Sequence, residues 1–244
     1  IVSGVIDDGP ATYGLRVSTN PNDRTKGVEF RAHNTYNGST DLTRGMLFLG
    51  ISDALSTSSI LDVHWASSNN EEFSGLNMKG FDQTVAGLKN SGITGANALI
   101  TNSSATVSTL TVSQSVNTVY NGTIRGPIAL VKDGAGSLTI NFPTTYSGAT
   151  TVRGGTLSLG ASGVIPSGNA IRLEGGTFDL GSTTNTFASL TLTSDSTITL
   201  GTGKLTFNNQ TASAWSGTLN LVGTLNPTTL RFQPLLSAAQ YGCI

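Results

Sequence analysis

Hydrolysis of a glycosidic bond needs two carboxylates converging across a groove. The candidates in this 244-residue chain are Asp7/Asp8, Glu71/Glu72, Asp82, Glu174 and Asp179. Successive side chains of extended backbone point to opposite faces, so Asp7/Asp8 and Glu71/Glu72 diverge rather than converge. Glu174 and Asp179 fall in a turn and at an outward strand position. All of these read as solvated turn residues, no catalytic residue is assigned, and the expectation is a protein that is not an enzyme. His33 and His64 have no metal-ligand spacing, and there is no HExxH, nucleophile elbow or P-loop. Asp133-Gly134 and Asn121-Gly122 are turn dipeptides, and the Gly-Gly-x-Gly-x-Asp repeat that supplies calcium ligands is missing. No metal and no cofactor are expected. Cys243 is the single cysteine, which leaves no internal disulfide and no CxxC motif.

Recognition chemistry is weighed in the same way. Tyr36, Tyr120, Tyr146, Trp65 and Trp215 could stack on sugars, yet several recur at matched repeat positions, which favours packing at the corners of a repeated unit. Asn-x-Ser/Thr sequons begin at Asn37, Asn102, Asn121 and Asn209; a chain this rich in threonine contains such triplets by chance.

Positioning any of these residues falls to short strands. Charged residues make up 11% of the chain, against about 25% in an ordinary soluble domain, and Ser, Thr, Asn and 30 Gly carry the polar load instead. The formal net charge of −1 gives no footprint for nucleic acid or an anionic membrane. No apolar run is long enough to span a bilayer as a helix. Ile1, without Met or a secretion signal, is expected of a processed chain or a fragment.

From Leu138 onward, alternating apolar pairs are punctuated by glycine turns. Leu138, Leu157, Phe178, Ile198 and Leu219 are separated by 19, 21, 20 and 21 residues. The pairs starting at Ile171, Leu190 and Leu205 fall between them. A coil that closes once per about twenty residues produces this spacing, and a hairpin meander has no reason to. The reading is all-β: a parallel β-helix, or β-solenoid, of roughly twelve coils and about 55–60 Å. Stacked coils place like residues over one another, which suits Thr, Ser, Asn and aliphatic ladders and penalises like charges.

The chain also repeats itself. Thr35 to Gly50 and Thr145 to Gly160 align without a gap, 110 positions apart, with eight of sixteen residues identical. The alignment runs from Val28–Val63 against Leu138–Leu173 and resumes with Leu76–Leu88 against Phe178–Leu190. About eight extra residues in the first copy, centred on 67–73, read as a loop bulging from the solenoid. The whole of 1–244 is read as a single elongated domain, with repeat units at about 1–119 and 120–214 and a partial unit at 215–244.

Lys132, Gly134, Gly136, Leu138, Tyr146, Gly148, Thr150, Val152, Gly155, Leu157, Leu159 and Gly160 fill the pattern Lys-x-Gly-x-Gly-x-Leu-x-Leu, a spacer, then Tyr-x-Gly-x-Thr-x-Val-x-x-Gly-x-Leu-x-Leu-Gly. This closely resembles the autotransporter-associated β-strand repeat. The first copy lacks the Lys-x-Gly-x-Gly element. The resemblance implies a right-handed parallel β-helix, a passenger-type surface protein of bacteria, and no catalytic unit. Residues 215–244 also look like the end of such proteins, where Thr229–Phe232 precedes Ala238–Gln240.

The expectation is therefore an extracellular or cell-surface structural protein, a β-solenoid subunit of a surface layer or a filament. Both termini fall in mid-pattern, without the helix or polar loop that covers a solenoid end, so end-to-end self-association is expected. The alternatives are an adhesin whose 67–73 loop contacts a cell surface or glycan, and a polysaccharide-active β-helix enzyme.

Overall fold

A computed structural model describes residues 1–19, 22–64, 72–92, 95–210, 214–225 and 229–244. Every strand pair among them is parallel. The chain winds as a β-solenoid of about 10 turns, with successive turns about 21 residues apart.

Three faces make each turn. The first face runs from Leu15–Ser18 through the start of Thr40–Leu49, Ile60–Val63 and Gly87–Lys89. It continues through Thr118–Tyr120, Ser137–Ile140, Thr156–Leu159, Thr177–Asp179, Ser196–Gly201 and Leu219–Gly223. The join between these two groups is the Asn90 N–H donating to the Val119 carbonyl at 3.2 Å. The second face starts at Gly27–Phe30 and ends at Leu230–Phe232. The third carries Gln83–Val85, Ser108–Ser113, Ile128–Asp133, Thr150–Val152, Ile171–Leu173 and Leu190–Leu192. Thr40–Leu49 turns the corner between two faces at Gly45, whose φ of 73° is open to glycine at low cost.

The alternating pattern of the sequence is what fills the interior. Leu138, Leu157, Phe178 and Ile198 stack in register on the first face and are fully buried. Ile171 and Leu190 pair on the third. Phe178, Phe187, Phe207 and Phe232 form a stack along the axis, with ring centroids 5.8, 6.2 and 5.2 Å apart.

Two expectations are corrected. The expected count of twelve coils is too high, because early turns are long: Leu15 pairs with Thr40 and Leu61 with Leu88, 25 and 27 residues on. The inward ladder also slips at its end. Ile198 pairs with Leu221, and Leu219 sits opposite Ser196. Leu219 is still buried, so the alternation was legible while the register was not.

The internal repeat survives in three dimensions, displaced by one face. Leu47 lies on the second face and Leu157 on the first; Thr40 lies on the first and Thr150 on the third. The copies share local structure rather than position in the coil.

Candidate functional site

The carboxylates singled out from the sequence are dispersed, and two of them, Asp8 and Asp82, serve the backbone of a neighbouring coil. Asp8 accepts from the amides of Tyr13 (3.0 Å) and Asn37 (2.8 Å), and these bonds hold its carboxyl below the usual range. Asp7 accepts from the Gly9 amide, and Asp82 from the Thr109 amide at 2.6 Å. Glu174 pairs with Arg153 at 3.0 Å, and Asp179 accepts from the Ser158 hydroxyl and the Gly181 amide. Glu72 pairs with Arg44. Glu71 and Trp65 lie outside the described residues. The His33 ring meets the Asp53 carbonyl at 3.2 Å, and the His64 amide donates to the Leu42 carbonyl. No three His, Cys, Asp or Glu gather as a metal site among the described residues.

Of the 67–73 loop, only Glu72 and Phe73 are described. Phe73 is not a loop tip: it is buried, with the Arg24 guanidinium 4.9 Å from its ring centroid. The aromatic residues expected at corners are interior. Tyr36 and Tyr146 are buried, and each hydroxyl lies 2.6 Å from the threonine hydroxyl four residues on, Thr40 and Thr150. The Tyr120 hydroxyl has the carbonyls of Thr123 and Ala98 within reach of its one proton, at 3.2 and 3.3 Å. Burial pushes all three phenols up. Trp215 donates to the Leu190 carbonyl at 3.2 Å. Asn102 is buried too, its amide nitrogen 2.7 Å from Thr106 O, 3.0 Å from Ser108 Oγ and 2.8 Å from Pro127 O, so its sequon is closed to modification in the folded chain.

Lys132 is the residue whose role sequence reasoning missed. It stands in an inward ladder between Val112 and Val152 and is fully buried. Its ammonium donates to the carbonyls of Asp133 (2.6 Å), Gly134 (2.9 Å) and Gly154 (3.1 Å), the last in the next coil. Burial lowers its pKa to about 8, with Asp133 opposing. The glycines of the motif serve the same corner. A Cβ on Gly134 would come within 2.5 Å of the Gln114 carbonyl, and one on Gly136 within 2.2 Å of the Val116 carbonyl. The Lys-x-Gly-x-Gly element is thus a cation clasping backbone carbonyls where two coils approach too closely for side chains.

At the C-terminal end the interior of the outermost coil is open. A cavity of about 960 Å³ is lined by Leu221, Leu225, Phe232, Leu235, Leu236 and Tyr241, among others. Leu235 is 79% exposed. A one-turn helix, Ala238–Tyr241, lies here with Ser237 and Gln240 forming a capping box, contrary to the expectation of an end without a helix. The residues after it meet the start of the last first-face strand, where the Leu219 amide donates to the Cys243 carbonyl at 2.6 Å. Cys243 is half-buried against the Trp215 carbonyl rather than free in solvent.

The class is that of the parallel β-solenoid, here with apolar ladders, glycine corners and carbonyl-clasping polar residues. Residues 130–159, which hold Lys132, the two motif glycines, Tyr146 and Thr150, match the family model of the passenger-associated-transport repeat. That match and the solenoid together fit an autotransporter passenger β-helix repeat protein. No curated protein and no solved structure matches the chain.

Proposed function

We propose that this chain is a secreted or surface-exposed structural protein, a β-solenoid subunit that associates end to end into a filament or surface layer. The passenger-type repeat within a parallel solenoid supports the structural role, and the exposed apolar lining of Leu221, Leu225, Leu235 and Tyr241 supports the contact. Exposed apolar surface of this kind favours a partner at about 25 cal/mol per Å² buried. At the N-terminal coil Leu15–Ser18 is paired on one side only, Val2 bridges Phe30 of Gly27–Phe30, and Ile1, Val5 and Tyr13 are exposed nearby. Strands at both ends run in the same sense, so a copy stacked on another continues the parallel ladder. A contact between unlike ends does not close on itself and propagates as a fibre. The passenger-type repeat supports a surface location.

Sedimentation and negative-stain microscopy test this. The unmodified chain is expected to form rods longer than one molecule, and Leu235→Asp combined with Tyr241→Asp is expected to disperse them. Monomers alone across salt and pH would remove the proposal.

A further inference from the structure

The outermost first-face strands at the two ends carry complementary backbone groups. At the C-terminal end the Thr218 carbonyl accepts from the Ser196 amide, while the Leu219 N–H points the other way, to the Cys243 carbonyl. Successive residues of a parallel strand alternate between its two sides, so Leu221 and Gly223 also aim their N–H and C=O groups off the end. At the N-terminal end the Leu15 N–H donates back to the Ser39 carbonyl at 2.7 Å. By the same alternation, Gly14 and Arg16 aim their groups away from the rod. When Leu15 of one copy lies opposite Leu221 of another, the Leu221 N–H meets the Gly14 carbonyl and the Arg16 N–H meets the Leu221 carbonyl.

The side chains favour the same match. Leu221 and Leu15 are each half-buried and packed against the core. Leu221 ends the interior column of Leu157, Phe178 and Ile198. Leu15 opens the column that continues through Thr40, Leu61 and Leu88. Stacking one leucine on the other joins the two columns and covers both. Neighbouring registers fail on physical grounds. A slip of one residue turns Arg16 inward and Leu15 outward. A slip of two toward Leu219 meets an N–H already bonded to Cys243 at 2.6 Å. The opposite slip of two lays Leu15 over Gly223, which has no side chain, and leaves Leu221 beyond the start of the Leu15–Ser18 strand.

We infer that copies of this chain join through one register of the first face, Leu15 of the next copy opposite Leu221, with the C-terminal tail as the stop that fixes it. The inference rests on the end-to-end reading and adds which residues meet and what selects them. It sets Val222, 46% exposed, opposite the exposed Arg16 of the next copy. Their Cα atoms are then about 4.8 Å apart, inside the range of about 4.4–6.8 Å that a disulfide spans. Asn220 and Arg16 are about 8 Å apart in this register, too far to bridge.

Disulfide trapping tests it in a Cys243→Ser background, which keeps the backbone carbonyl at that position. Chains carrying Arg16→Cys are mixed with chains carrying Val222→Cys, Asn220→Cys or Thr139→Cys, the last in mid-rod to report chance collision. Mild oxidation is followed by peptide mass spectrometry, and the same samples are viewed by negative-stain microscopy. Positions 16 and 222 are exposed, so substitution there keeps the fold, which circular dichroism checks. The bond between positions 16 and 222 is expected in rods at about tenfold or more over the 16–220 and 16–139 bonds. Rods in which the 16–220 bond equals or exceeds it, or in which neither forms, overturn the register and leave end-to-end association standing. Absence of rods from the unmodified chain and from Cys243→Ser alike overturns both.

Discussion

Burying an ammonium costs several kcal/mol unless polar atoms replace its water, and at Lys132 three backbone carbonyls do so. Replacement by Met keeps most of the volume and leaves those carbonyls without a donor. Lys132→Met is expected to destabilise the fold by about 1–3 kcal/mol, read from the urea midpoint. The lysine also sets a pH dependence. Its folded pKa is lowered to about 8 from 10.5, so between these values the unfolded chain holds a proton that the folded chain sheds, and stability rises with pH. The stability of the unmodified chain relative to Lys132→Met should therefore grow from about pH 8 to about pH 10.5. A difference that shrinks would mean that the carbonyls favour the charged form more than burial opposes it. The two tyrosine–threonine pairs separate in the same spirit. Thr40 keeps a second partner in Ser59 at 2.8 Å, whereas Thr150 bonds to Tyr146 alone among the described side chains. Tyr146→Phe should cost about 1–2 kcal/mol and Tyr36→Phe less.

At the scale of strands, the alternation of Leu138, Leu157, Phe178 and Ile198 was enough to show parallel coils, because only the interior of a solenoid needs the same apolar position every twenty residues. The phenylalanine stack was less visible, since Phe187, Phe207 and Phe232 come from turns with different offsets. Phe207 sits between two of its partners, and Phe207→Ala should cost about 3–5 kcal/mol in the chemical unfolding midpoint. The slip at Leu219 was hidden because Leu219 and Leu221 are both apolar and two residues apart, so the alternation fits Ile198 opposite either one. Lys132 was legible as a motif residue and illegible as an interior one, since a lysine beside a turn reads as solvated. Gly136→Ala tests the corner. The Val116 carbonyl cannot yield as a flexible side chain would, and a loss of about 1–3 kcal/mol is expected in thermal or urea unfolding.

For the molecule as a whole, the low charge and abundant hydroxyls follow from stacking, which places each outward residue over its counterpart in the next coil. The open terminal coil was not legible beforehand: Pro234-Leu235-Leu236 has no alternation, and only the fold reveals that it borders an uncovered interior. The central claim is the continuous parallel winding, which electron-spin distance measurement tests directly. Asp41, Thr139 and Thr199 lie along one line of the first face. Spin labels there should be four coils apart for 41 and 139, three for 139 and 199, and seven for 41 and 199. The backbone separations are then about 19, 14 and 34 Å, the longest close to the sum of the other two. Distances that fail to add, or a 41-to-199 distance no longer than either shorter one, would contradict the solenoid.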